Sequence, residues 1–230
     1  FITVKAPFLK DALKSIQNEM VRNAVVIPLL NGVGHREIIR SELGGNVAVG
    51  VIGMVEVATD PDGYVCHFST KKPHIDIASD YDVSESVLGK ITDTISHIGV
   101  SVSLVESEAE VIWQKLVRLC AIASTTALYQ ESIGRVRSDP VKRKVLEDIV
   151  YEGVLVAQYE GVNIDPIEVI KQIEALPETL KTSLQRDVQS HSISEVDSIT
   201  GGVLTLAKSY NISTPAHAYV YSLIRKLYSS

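Results

Sequence analysis

A lysine at the head of an apolar helical face is the first chemical feature of this 230-residue chain. Lys115, Leu119 and Ala123 fall at i, i+4 and i+8, so they share one side of a helix. An ammonium in such a place must be hydrated, paired or given a task, because burying an unpaired charge is costly. By periodicity alone Lys115 reads as a lysine that lays its stem along the surface. Glu195, beside Ser194 and Asp197, reads by itself as a first-turn carboxylate favoured by the helix dipole. Asn31-Gly32-Val33-Gly34 follows an apolar run and precedes a helix, the context in which backbone N–H groups approach a phosphate. Glu37 stands where the third glycine of the dinucleotide fingerprint would be, so the turn taken alone reads as a tight strand–helix connection.

Other chemistries find little support. His35, His67, His74, His97, His191 and His217 show neither His-x3-His nor His-Glu-x-x-His spacing, and Cys66 and Cys120 lack the partners a zinc site needs. No metal is expected, and the two cysteines are expected as free thiols in a reducing compartment. There is no Gly-x-Ser-x-Gly elbow. The 9 tyrosines have no basic neighbours arranged as a stacking platform for bases.

The elements that must position these residues change character along the chain. Up to about residue 106, strand-like and helix-like stretches alternate: Phe1–Lys5, a helix over Leu9–Met20, the apolar run Ala24–Leu30 with Pro28 awkwardly inside it, and a helix from His35 to Leu43. Val47–Ala58 and Tyr64–Phe68, joined by Asp60-Pro61-Asp62-Gly63, read as a hairpin. Ile75–Ile77 reads as a short strand, Val83–Ile98 as a helix stopped by Gly99, and Val100–Val105 as a further strand. From Glu108 onward only helices are expected. Asp139-Pro140, Asp165-Pro166 and Thr214-Pro215 each pair a capping residue with a proline at the first helical position. Ser194 and Asp197 resemble a variant capping box for a helix to about Tyr210. The expected architecture is α/β: an incomplete α/β domain over residues 1–106, followed by an all-helical domain over 107–230.

Composition bounds the partners. With 45% apolar residues the chain can fill a core, and 28 acidic against 22 basic residues leave a net charge of -6. That balance argues against nucleic acid or an anionic membrane as partner. The nearly apolar runs Ala24–Leu30 and Val47–Val55 are far shorter than the roughly 18 residues of a bilayer span. Phe1–Lys5 has no signal-peptide character, so the expected location is cytoplasmic. Ile2-Thr3-Val4 reads as a strand already in progress, which predicts that the chain starts inside a domain.

Five pieces in order carry a resemblance. Val4-Lys5-Ala6, Asn31-Gly32-Val33-Gly34, Trp113-Gln114-Lys115-Leu116, Ser183-Leu184-Gln185-Arg186-Asp187 and Glu195-Val196-Asp197, with the tail Ile212-Ser213-Thr214-Pro215, resemble the ketopantoate reductase (2-dehydropantoate 2-reductase) family over essentially the whole chain. The resemblance implies that residues 1–106 are the later part of a Rossmann-type dinucleotide-binding domain and 107–230 a helical substrate and dimerisation domain, with NADP(H) as cofactor and a small 2-oxo acid as substrate. It implies that Lys115 is the general acid, that Glu195 hydrogen-bonds the substrate hydroxyl and that Ser183 touches substrate. Asn31 would lie between nicotinamide and substrate, and Lys5, Asn31 and Glu195 would contact the cofactor. A homodimer through the helical domain is also implied.

Two departures qualify what is carried over. The family's glycine fingerprint lies upstream of the lysine-bearing strand and is absent here, so a fragment of a longer protein is expected. Leu119 and Ala123 stand where the family usually has asparagines, and Ser132-Ile133-Gly134 where it tends to have an Asn-Gly pair. Losing those amides points to a less polar 2-oxo acid or ketone as an alternative substrate. A non-catalytic binding or dimerisation module is the alternative from another class.

Overall fold

The computed structural model describes residues 1–53, 55, 57–67 and 72–229. They form two compact units: Phe1–Thr3, Ala12–Leu30 and Arg36–Ile112 in the first, and Val4–Asp11, Asn31–His35 and Trp113–Ser230 in the second. A single cut at 106/107 differs from these units in three short segments: 4–11 and 31–35 join the helical unit, and 107–112 join the first.

The first unit is a mixed sheet with helices. β1 (Val49–Gly53) runs antiparallel to β4 (His74–Ala78), with Val49 opposite Ala78, and β4 runs parallel to β5 (Ser101–Leu104) in the order β1-β4-β5. Two parallel bridges extend the pattern, Ile2 with Pro28 and Val26 with Val47. Pro28 has no N–H to give. It contributes its carbonyl, which accepts from Gly50 N at 3.1 Å, while its neighbours Ile27 and Leu29 bond Ile2 at 2.9 Å each. That is how the run Ala24–Leu30 pairs on both sides despite its proline. α4 (Glu85–His97) lays Leu88 and Ile95 against Ile27, Ala48, Ile75 and Ile77 to form the core. It ends at Gly99, whose φ of 88° is the left-handed conformation glycine tolerates best.

The expected hairpin forms only at its tip, β2 (Val57–Thr59) against β3 (Val65–His67) with Thr59 opposite Val65, while Val49–Gly53 of the expected first strand pairs with β4 in the other sheet. Asp60 Oδ1 accepts the N–H groups of Asp62 and Tyr64 at 3.0 and 2.8 Å, closing the turn. Met54, Glu56 and Phe68, which belong to the expected strands, lie outside the described residues. The helix expected over Leu9–Met20 is instead two helices, α1 (Leu9–Lys14) and α2 (Asn18–Val21). Between them Ser15 Oγ donates to Ala12 O at 2.7 Å, and Ser15 N and Ile16 N bond only three residues back. The hydroxyl competes for the carbonyl that the next α-turn would use.

α3 (His35–Leu43) precedes β1 in the chain, and α5 (Glu108–Tyr129) follows β5. Glu108, 1% exposed, takes both terminal nitrogens of Arg40 at 3.0 and 2.5 Å and the Asp80 N–H at 3.2 Å. By length and composition α5 could cross a bilayer, but 72% of that stretch is buried inside the protein, as in a core helix of a globular fold.

The helical unit continues with α6 (Ile133–Ser138), α7 (Pro140–Tyr159), α8 (Pro166–Glu174), α9 (Ser183–Gln189), α10 (Val196–Ser209) and α11 (Pro215–Ser229). α7 is central, packing on α6, α8, α10 and α11. Two proline-led starts carry the expected caps: Asp139 accepts from Val141 N and Lys142 N, and Asp165 from Ile167 N. At α11 the acceptor comes from α7, where Glu152 takes Ala216 N at 2.7 Å and His217 N at 2.9 Å. The Ser194 capping box is not formed. α10 starts at Val196 with Glu195 as its N-cap, and Asp197 turns to Tyr221 Oη at 2.7 Å and Arg225 at 3.2 Å. The layout as a whole is the expected class, a Rossmann-type α/β layer followed by an all-helical domain.

Candidate active site

The helical unit brings three of the five sequence-predicted residues together through hydrogen bonds. Lys115 is in the second turn of α5, where the helix presents it beside Asn31. Its Nζ donates to Asn31 Oδ1 at 2.8 Å, and Asn31 Nδ2 donates to Glu195 Oε2 at 3.1 Å. The other carboxylate oxygen of Glu195 accepts from Ala6 N at 3.2 Å. A cation, a carboxamide and a carboxylate therefore stand in series, and Glu195 is only 8% exposed.

Local backbone geometry explains why Asn31 can sit there. Gly32 has φ of 87°, and a Cβ at this position would lie 2.2 Å from Ser198 O. On the other side, Gly202 faces Val33, whose Cγ2 would come within 2.5 Å of an added Cβ. Val33 N donates to Ser198 O at 3.1 Å. Gly32 of the turn and Gly202 of α10 thus permit the close approach of the two segments, and with it the short reach from Asn31 to Glu195.

Lys5 stands at the start of a short 3-10 turn, Ala6–Phe8. Its Nζ donates to both carboxylate oxygens of Asp187 at 2.8 Å and to Ile193 O at 3.2 Å. Asp187 lies in the motif around Ser183 but was not singled out by sequence reasoning. An ion-pair partner 182 residues away carries no local pattern, and only its place in that motif could have pointed to it. Ser183 is the exposed first residue of α9 and takes no part in the hydrogen-bonded chain.

Electrostatics single out Lys115. Burial disfavours its charged form and Arg118 adds repulsion. Glu195 pulls the other way, and the balance pushes the ammonium down from the usual 10.5 to about 8. Leu119 and Ala123, one and two turns on, supply no hydrogen-bonding side chain, and Ala123 is 1% exposed. Gly134 sits where the backbone of Glu178 leaves no room for a side chain, an added Cβ meeting it at 2.8 Å. Among the described residues no group of three or more His, Cys, Asp and Glu side chains is arranged to hold a metal. Cys66 and Cys120 are free thiols. Chemically, the arrangement can deliver a proton to an oxygen that gains negative charge.

Comparison with known proteins matches two family models: Ketopantoate reductase PanE/ApbA over residues 1–79, and Ketopantoate reductase PanE/ApbA C terminal over residues 109–228. The chain is 26% identical over 205 residues to a 2-dehydropantoate 2-reductase of Halobacterium salinarum, covering 88% of this chain and 67% of that protein. It is 24% identical over 231 residues to the uncharacterized oxidoreductase YkpB of Bacillus subtilis, covering 96% and 74%. Among solved structures, a D-mandelate dehydrogenase with NADH superposes with a TM-score of 0.89 at 23% identity, covering 98% of this chain and 76% of that one. A dimeric ketopantoate reductase from Staphylococcus aureus superposes at 0.83 and 21%, covering 100% and 78%.

Proposed function

Given that the chain belongs to the ketopantoate reductase family, we propose that it reduces a 2-oxo acid with NADPH, Lys115 supplying the proton. The leading substrate is 2-dehydropantoate, giving pantoate for pantothenate and coenzyme A synthesis. The observation that carries the reading is the series Lys115–Asn31–Glu195, with the ammonium near neutrality at about 8.

The donors of this chain suit a pyridine nucleotide. Lys5 keeps 40% of its side chain exposed while paired to Asp187, and Asn31 offers a carboxamide just before a glycine turn. Lys5, Asn31 and Glu195 are the residues proposed to hold the cofactor, which when bound supplies the hydride. Lys115 then gives its proton to the carbonyl oxygen as charge builds there, and a value near 8 leaves it charged at neutral pH yet a competent acid. Asn31 fixes the direction of Nζ. Glu195, held by Asn31 and Ala6 N, is proposed to take the substrate hydroxyl, and Ser183 to touch the substrate. The same reading assigns residues 1–106 to cofactor binding and 107–230 to substrate binding and dimerisation, in a cytoplasmic homodimer.

A second reading keeps the chemistry and changes the substrate. Leu119 and Ala123 offer no amide to a polar hydroxy acid, and each missing partner costs about 1 kcal/mol or more. This favours a less polar 2-oxo acid, and similarity to a D-mandelate dehydrogenase points the same way. The non-catalytic alternative is disfavoured because a silent pocket has no need of a partly buried lysine paired to Asn31. Oxidation of NADPH and of NADH is to be followed with a panel of 2-oxo acids. Saturable turnover of at least one supports the proposal, and none with either cofactor overturns it.

A further inference from the structure

The helices that carry Lys115 and Glu195 meet a second time, deeper in the helical unit, at groups with no role in the chemistry above. Five residues beyond Lys115 on α5 is Cys120, and five beyond Glu195 is Thr200 on α10, a rise of about 7.5 Å along each helix. Thr200 Oγ1 lies 2.7 Å from Ser124 Oγ and 4.0 Å from Cys120 Sγ, and Cys120 Sγ lies 3.8 Å from Ser124 Oγ. All three are at most 1% exposed.

Hydroxyls within helices ordinarily turn back on their own backbone. Thr125 and Thr126 do so, bonding Ala121 O and Ile122 O at 2.7 and 2.8 Å. Ser124 and Thr200 meet across two helices, in a setting where an unpaired hydroxyl is costly. Next to Cys120, the fully buried His217 of α11 is bonded through Nδ1 to Glu152 of α7 at 2.7 Å. The Asn31 carboxamide ties Lys115 of α5 to Glu195 at the N-cap of α10, so a change in the separation of the two helices alters the geometry of both hydrogen bonds.

We infer that Ser124 and Thr200 are positioning residues, a buried link that holds the lysine-bearing helix in register with the glutamate-bearing one. This rests on the proposed roles of Lys115 and Glu195, but it has a readout that needs no substrate. The Lys115 titration depends on its burial and on Glu195 at the start of α10, so a shift between the two helices moves it, while Arg118 of its own helix stays at a fixed distance. The titration of Lys115 is to be followed by NMR of the labelled lysine side chain in the parent, Thr200→Val, Ser124→Ala, the double variant and Thr200→Ser, alongside turnover of 2-oxo acids.

The expected result is that Thr200→Val and Ser124→Ala each move the Lys115 midpoint by about half a pH unit or more and lower kcat roughly tenfold or more, with Thr200→Ser restoring both. The double variant regains stability, since removing both partners leaves no orphaned hydroxyl, but not the parent's Lys115 midpoint. A midpoint unchanged in folded Ser124→Ala overturns the inference, whether or not Thr200→Val folds. So does a double variant that recovers stability and midpoint together. Absence of turnover in the parent would count against the proposed activity alone, because the Lys115 titration still decides the link.

Discussion

Asn31 and Glu195 are joined by a 3.1 Å hydrogen bond from Nδ2 to Oε2, which orients the Asn31 carboxamide so that its oxygen faces Lys115. The amide has one donor end and one acceptor end, and each is committed to a different charged side chain. Removing it takes away the 2.8 Å hydrogen bond from the Lys115 ammonium to the amide oxygen. Asn31→Ala is therefore expected to lower kcat by about a hundredfold. Steady-state kinetics of the variant against the parent checks this, and a kcat within about twofold of the parent's would mean that Lys115 does not depend on the amide.

If Lys115 is the proton donor proposed above, reduction needs it in its charged form. Burial lowers that group to about 8, so kcat/KM for reduction is expected to be fullest below that pH and to fall as pH rises through about 8. An arginine stays charged over the whole range, so whatever activity Lys115→Arg retains should lack this limb. Initial rates from about pH 6 to about 10 in both proteins test the assignment. A limb that persists in the arginine variant would belong to another group.

On the proposed reading, substrate choice depends on the face that α5 presents beyond Lys115. Leu119 offers no hydrogen bond where an amide could hold a polar hydroxy acid. Leu119→Asn is expected to raise kcat/KM for 2-dehydropantoate relative to a branched or aromatic 2-oxo acid, by roughly tenfold for one good hydrogen bond. An unchanged ratio would show that position 119 does not select the substrate.

Local physics was legible in the sequence, and long-range pairing was not. Asp139 and Asp165 cap their helices because a carboxylate next to a proline-led first turn needs no help from elsewhere. The strands around Ile75 and Val102, the Gly99 stop and the Asp60–Gly63 turn were equally local. The Leu9–Met20 pattern ran through a serine whose hydroxyl takes a backbone carbonyl, so the periodicity outlasted the helix. α11 takes its N-terminal acceptor from Glu152, 64 residues upstream of Ala216, and Asp197 finds Tyr221 and Arg225 rather than Ser194. Lys115 read by period alone as a surface lysine, because nothing within four residues betrays Asn31 or Glu195 as its neighbours. Ordered resemblance found those residues, whereas the Ser124–Thr200 link and the Lys5–Asp187 pair came only from the structure.

His217 is buried against Glu152 and Cys120. Burial works against its charge, but Cys120 and Glu152 outweigh it and push the imidazole up to about 9 from the usual 6.5. A folded value above the unfolded one stabilises the protein fully below about 6.5, and the gain is lost as pH rises through about 9. Glu152→Gln breaks a buried pair and removes a charged acceptor from the start of α11, so a loss of about 3 kcal/mol is expected near pH 6. The gap between parent and variant should narrow as pH passes about 9. Urea unfolding of both proteins at about pH 6 and about pH 10 provides the check, and a gap independent of pH would mean that His217 is neutral in the folded protein.

The most direct measurement is NADPH-dependent turnover of 2-oxo acids by the protein and by Lys115→Ala, with melting curves recorded for both. If Lys115 is the proton donor, turnover falls roughly a thousandfold while the melting temperature stays close to the parent's, since a lysine held at about 8 gains little from its surroundings. Turnover within a few-fold of the parent's, or a variant that loses its fold while any folded fraction still reduces substrate, would contradict the assignment of Lys115 to the chemistry.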